Sequence, residues 1–97
     1  MKAYKSFIKY ALAKGHTVSV FDGEEWGVKR STKYTEIVGL IEDVEIAELR
    51  VRDADGNVMA WAQVIPDLED DETLADYSAN DYTAEWDAQY SASHSAV

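Results

Sequence analysis

The sequence predicts an α+β fold in two layers: a four-stranded antiparallel sheet with two helices on one face, followed by an acidic C-terminal helix or tail. Residues 3–14 and 31–44 each repeat apolar side chains at helical spacing. Each stretch is followed by two segments that alternate apolar and polar around an acidic turn containing Gly, as hairpins with one wet face do. The order α-β-β-α-β-β fills residues 1–66, and residues 67–97 differ in kind, being rich in carboxylates, small residues and a few aromatics.

In the first helix Tyr4, Phe7, Ile8, Ala11 and Leu12 form the apolar stripe, and Lys2, Lys5, Lys9 and Lys14 the wet face. Gly15 stands where a left-handed cap needs no side chain. Thr17 to Phe21 is a β-branched, alternating strand, Asp22-Gly23 a two-residue turn, and Glu25 to Lys29 the return strand. Ser31 or Thr32 is the expected cap of the second helix, whose stripe is Tyr34, Ile37, Val38 and Ile41, with Leu40 and Val44 beside it. Glu45 to Arg52 alternates, with Ala47, Leu49 and Val51 facing inward. Asp53 to Asn57 turns the chain, and Val58 to Ile65 returns with Val58, Ala60, Ala62 and Val64 on one side and Met59, Trp61, Gln63 and Ile65 on the other. Pro66 ends the pairing. The two halves read as a weak α-β-β duplication in which Trp26 and Trp61 are equivalent. In the last segment Asn80 is placed to cap a helix with the stripe Tyr82, Trp86 and Tyr90, and Ser91 to Val97 is expected to fray.

All nine Lys and Arg lie at or before Arg52, while eleven of the nineteen Asp and Glu lie after it. Residues 1–50 balance, so the net charge of -10 comes from the second half. Ninety-seven residues fit one domain with a modest core. The absence of cysteine removes disulfides, thiolate nucleophiles and thiolate metal sites, and is compatible with a reducing cytosol. Lys9 and Tyr10 interrupt the apolar run that would make a secretion signal, and no segment is long and apolar enough for a membrane helix. A soluble, cytoplasmic protein with no membrane contact is expected.

Candidate chemical motifs fall short of catalysis. Asp53-x-Asp55-Gly56-Asn57 has closely spaced oxygens, but Gly and the twelfth residue, Val64, do not fit an EF-hand loop, so a hairpin turn is expected and no metal or cofactor is assigned. His16 follows a helix end and His94 lies near the C-terminus; no serine or threonine is placed beside a base, and no enzyme activity is expected. The lysines of the first helix, with Lys29, Arg30 and Lys33, offer phosphate contacts, but the overall negative field opposes a polyanion, and no direct nucleic-acid binding is expected.

The candidate site is therefore an acidic face built from Asp67, Glu69, Asp70, Asp71, Glu72, Asp76, Asp81, Glu85 and Asp87, with Tyr77, Tyr82, Trp86 and Tyr90 as aromatic anchors for a partner. Regularly placed carboxylates present a field comparable to that of DNA, which carries a charge per roughly 1.7 Å of axis. In overall type the chain resembles the DNA-mimicking inhibitors that phages and mobile elements direct against host defence or DNA-handling proteins. That likeness rests on the acids between Asp53 and Asp87 and maps no residue onto another. It implies a non-enzymatic inhibitor that blocks the basic surface of a protein partner. One alternative is a self-assembling structural protein, a homodimer formed through an exposed sheet face carrying Met59, Trp61 and Ile65. A further alternative is a small regulatory nucleic-acid binder using Lys5 and Lys9.

Overall fold

The computed structural model describes residues 2–95. Along the chain run α1 (Ala3–Ala13), β1 (Thr17–Phe21), β2 (Trp26–Ser31), α2 (Tyr34–Glu42), β3 (Ala47–Arg52), β4 (Val58–Val64), a short 3-10 turn (Asp70–Glu72), β5 (Leu74–Tyr77) and α3 (Asp81–Ser95). The sheet is antiparallel in the order β2-β1-β3-β4-β5. It therefore has five strands, not the four expected: residues of the acidic segment add β5 to the edge that β4 would otherwise leave open. That pairing satisfies backbone groups of β4 that had no partner within the first 66 residues, matching Val64 with Leu74, Gln63 with Asp76 and Ala62 with Tyr77.

One core lies between the sheet and the helices. Val18, Val20, Leu49, Val51, Ala60, Ala62 and Val64 meet Tyr4, Phe7, Ile8, Ile37 and Ile41, all buried. α2 packs on β1 and β2, so the second helix covers strands of the first half and the halves interlock. Gly27 permits that approach, because a Cβ there would come within 2.7 Å of the Leu40 side chain. α1 ends as its sequence predicts. Gly15 adopts φ +79°, its N–H donates to the Leu12 carbonyl at 3.0 Å, and the His16 N–H donates to the Ala11 carbonyl at 3.1 Å, a Schellman closure.

Local expectations fail at turns and bulges. The β1–β2 connection spans Asp22 to Glu25, because the Asp22 carboxylate accepts the N–H groups of Glu24 and Glu25 at 2.8 and 2.9 Å. β2 runs on to Ser31, whose hydroxyl accepts the Lys33 N–H at 3.0 Å but caps no helix; α2 begins after Lys33 with no side-chain cap. In the β3–β4 ladder the register slips between Val51 and Arg52, pairing Val51 with Ala60 and Arg52 with Val58. The bulge turns Val58 outward, where it is 55% exposed, and lets Met59 pack against the core, the reverse of the alternation expected.

Candidate functional site

The acidic segment is built into the fold at several points. Asn80 caps α3: its side-chain oxygen accepts the Thr83 N–H at 3.0 Å, and its own N–H donates to the Thr83 hydroxyl at 3.2 Å. Thr73, fully buried, accepts the Tyr4 N–H at 3.3 Å and so caps α1, which has no side-chain cap of its own. Lys2 donates its ammonium to the Pro66 carbonyl.

The aromatics expected as partner anchors face inward along α3. Tyr82, Trp86 and Tyr90 are buried, with Trp86 3% exposed. Trp86 meets Phe7 edge-on at 5.3 Å, stacks on Tyr90 at 5.3 Å and donates its indole N–H to Ser6 at 3.2 Å. The Tyr82 hydroxyl and His16 Nδ1 lie within hydrogen-bond distance at 3.0 Å, which gives His16 a structural place at the start of the first hairpin. Tyr77 is half-buried and packs edge-on against Trp86 at 5.7 Å. Of the proposed anchors, only Tyr77 keeps substantial access to solvent.

Every carboxylate of the predicted face, Asp67, Glu69, Asp70, Asp71, Glu72, Asp76, Asp81, Glu85 and Asp87, is exposed. They border the edge made by the 3-10 turn, β5 and α3. Some are engaged within the chain. Glu85 pairs with Lys14 at 3.1 Å, and this contact, with help from Tyr10, lowers the carboxyl and raises the ammonium from their ordinary pKa values. The Tyr10 hydroxyl beside them is buried without a hydrogen bond of good geometry, and burial raises its pKa. Asp71 accepts the Tyr90 hydroxyl at 2.7 Å; burial first, then this bond, pushes Tyr90 up to about 12. Asp76 accepts the Tyr77 N–H at 2.9 Å. Asp67, Glu69, Asp70, Glu72, Asp81 and Asp87 make no ion pair or side-chain hydrogen bond among the described residues. Their charge is available to a partner.

A notch of about 350 Å³ opens between β5 and α3, lined by Tyr77, Asn80, Thr83 and Asp87 among others. Tyr77 and Asp87 both line the notch, which puts an aromatic ring and a carboxylate together there, and burial first, then the nearby Asp87, raises the Tyr77 pKa. An Arg or Lys side chain would find both an ion-pair partner and a π-face there.

The other motifs resolve as local structure. The Asp53 carboxylate accepts the N–H groups of Asp55 and Asn57 at 2.9 Å and the Asn57 side-chain amide at 3.2 Å, so its oxygens close the β3–β4 turn. Among the described residues no group of three or more His, Cys, Asp or Glu side chains is arranged to hold a metal ion. Lys9 of α1 and Lys14 just after it lie over the chain's own rings, at 5.3 Å from Tyr34 and 5.0 Å from Tyr10. The expectation of a frayed end from Ser91 meets a helix that continues to Ser95; residues 96–97 and the His94 side chain lie outside the described residues. No described helix is long and apolar enough to cross a membrane. No family model matches this chain, and no curated protein or solved structure is similar to it.

Proposed function

We propose that the chain is a non-enzymatic binding protein whose acidic edge occupies a basic, phosphate-gripping site on a DNA-handling or defence protein and thereby excludes DNA, as inhibitors of phage and mobile-element type do. The observation that carries this reading is the set of uncommitted carboxylates: Asp81 and Asp87 on α3, which buried Tyr82, Trp86 and Tyr90 anchor, and Asp67, Glu69, Asp70 and Glu72 on the segment before β5, which is tied down where the Thr73 hydroxyl donates to the Asp70 carbonyl and Tyr90 to Asp71. Charges on an ordered scaffold lose little conformational freedom on binding, and a net charge of -10 speeds encounter with a cationic partner. The notch beside Tyr77 and Asp87 supplies a specific contact that long-range charge lacks. Cytoplasmic location and the absence of direct nucleic-acid binding belong to the same proposal.

The test compares the intact chain with one carrying Asn or Gln at those uncommitted positions. A chain cut at Pro66 would serve badly, since it loses β5, the Thr73 cap and the α3 part of the core. Each form is immobilised and offered lysate from a plausible host. The expected result is retention of DNA-metabolism proteins by the intact chain alone, with release by added duplex DNA and by salt, because exposed charges are screened beyond about 8 to 10 Å at moderate ionic strength. Equal capture by the neutralised chain, or a complex indifferent to salt, would overturn the mechanism.

The alternative of self-association through the open sheet face has one observation in its favour: Trp61 is 37% exposed and Val58 is exposed beside it. Met59 and Ile65, expected to share that patch, are instead partly buried. A concentration-independent dimer that persists after neutralisation would favour this reading.

A further inference from the structure

We propose that the pocket on the open face of the sheet between β1, β2 and β3 is a binding site for a phosphate monoester. Its construction starts with a slip in the β1–β2 ladder: Val18 pairs with Ser31 and Val20 with Val28, which leaves Lys29 and Arg30 to bulge opposite Ser19. Arg30 adopts φ +47°, the only positive φ outside glycine among the described residues. Ser19 is 4% exposed, and its hydroxyl oxygen accepts both the Arg30 N–H at 2.8 Å and an Arg52 guanidinium N–H at 3.3 Å. The hydroxyl's own proton has no acceptor among the described residues and is free to point into the pocket. The Arg30 guanidinium extends to Gly56 in the β3–β4 turn. The resulting pocket, about 360 Å³, is lined by Ser19, Trp26, Lys29, Arg30 and Arg52.

Its electrostatics run against the rest of the chain. Only Lys14 and Arg50 of the nine bases make an ion pair among the described residues, and of the other seven, three, Lys29, Arg30 and Arg52, line this one pocket. The neighbouring Arg50 is committed, lying over the Trp26 ring at 5.7 Å and pairing with Glu48 at 3.6 Å. Converging like charges and a left-handed arginine both cost stability, and such costs gather where a ligand repays them. Two guanidiniums, an ammonium and a hydroxyl donor are more charge and more donors than a monoanion can satisfy; a tetrahedral dianion satisfies them. Trp26 adds a flat apolar wall, and the volume admits a small organic group attached to the phosphate. The site stands on its own, since β2 lies at the opposite edge of the sheet from the acidic face.

The test is a nitrogen-15 NMR titration of the full chain at constant ionic strength with inorganic phosphate, phenyl phosphate, dimethyl phosphate and chloride. The expected result is saturable shifts at the Ser19 and Arg30 amides and the Trp26 indole, with phenyl phosphate tightest and dimethyl phosphate weaker by about tenfold or more, having lost a charge. Arg30→Asn keeps a residue that tolerates the left-handed region while removing the cation, and Arg52→Gln removes the second guanidinium. Each is expected to weaken phosphate binding by about tenfold or more with an unfolding temperature unchanged or raised, since the like-charge repulsion is relieved. Shifts that fail to saturate, that chloride reproduces, or that survive both substitutions would overturn the proposal.

Discussion

In α3, beside β5, charged side chains share a helix with aromatics sunk in the core; at the β2 edge they surround a space the fold leaves open. α3 alternates the two roles within one helix, with Tyr82, Trp86 and Tyr90 buried and Asp81, Glu85 and Asp87 exposed. Around Ser19 a bulge and a left-handed arginine bring cations together that a regular ladder would space apart. Exposed charge can thus follow from helical periodicity, which spreads it over a surface, or from an irregular register, which gathers it at a point. The first suits a broad partner and the second a small anion.

The most drastic way to break the contrast is alkali. Burial raises Tyr4 and Tyr90 from an ordinary 10.0 to about 12, and raises Tyr82 further. Because the folded state holds these protons more tightly than the unfolded chain, their contribution is complete below pH 10.0 and disappears as the pH climbs toward about 12. Phenolate absorbance and far-ultraviolet circular dichroism should change together in that window. Next in size is Trp86→Ala, which should cost about 3–5 kcal/mol in urea unfolding. It should also weaken partner capture by loosening α3. Neutralising the six uncommitted carboxylates changes the net charge from -10 to -4 and should leave stability unchanged or raised while abolishing capture, separating scaffold from charge.

Smaller effects sharpen the comparison. Asn80→Ala removes the cap of α3 and should cost about 1 kcal/mol by the same measurement. Arg30→Gly should change stability least. Relief of a left-handed conformation, about 1–2 kcal/mol, opposes the greater freedom glycine has when unfolded. An unfolding midpoint close to the parent's, with phosphate binding lost, is the expected outcome. A large destabilisation would mean that the arginine side chain holds the β1–β2 bulge together.

How much of this was legible can be judged from particular residues. The stripe Tyr82, Trp86, Tyr90 and the cap Asn80 were readable because helix periodicity and capping act within a few residues. The exposure of the nine acids followed from the same logic, since ionised carboxylates stay in water unless paired. Leu74 to Tyr77 gave too short and too acidic a signal for a strand; its pairing depends on the open edge of β4, a partner ten or more residues away. The inward turn of the aromatics left only Tyr77 accessible, an outcome set by the room between α1 and the sheet. Lys29, Arg30 and Lys33 stand close enough in the chain to read as a basic cluster, but Arg52 lies on another strand and Ser19 carries no signal alone.

Local sequence was enough for α1, α2 and the stripe of α3, for strands β1 to β4, for the Gly15 closure of α1 and the Asn80 cap of α3, and for the negative field of the second half. These follow from interactions between residues near one another in the chain. The tertiary structure decided that the acidic segment completes the sheet, that Val58 and Met59 exchange sides, which carboxylates remain uncommitted, and that Arg30 and Arg52 share Ser19. Each is fixed by backbone hydrogen bonds between distant strands, where a one-residue slip reverses which side of the sheet a side chain faces.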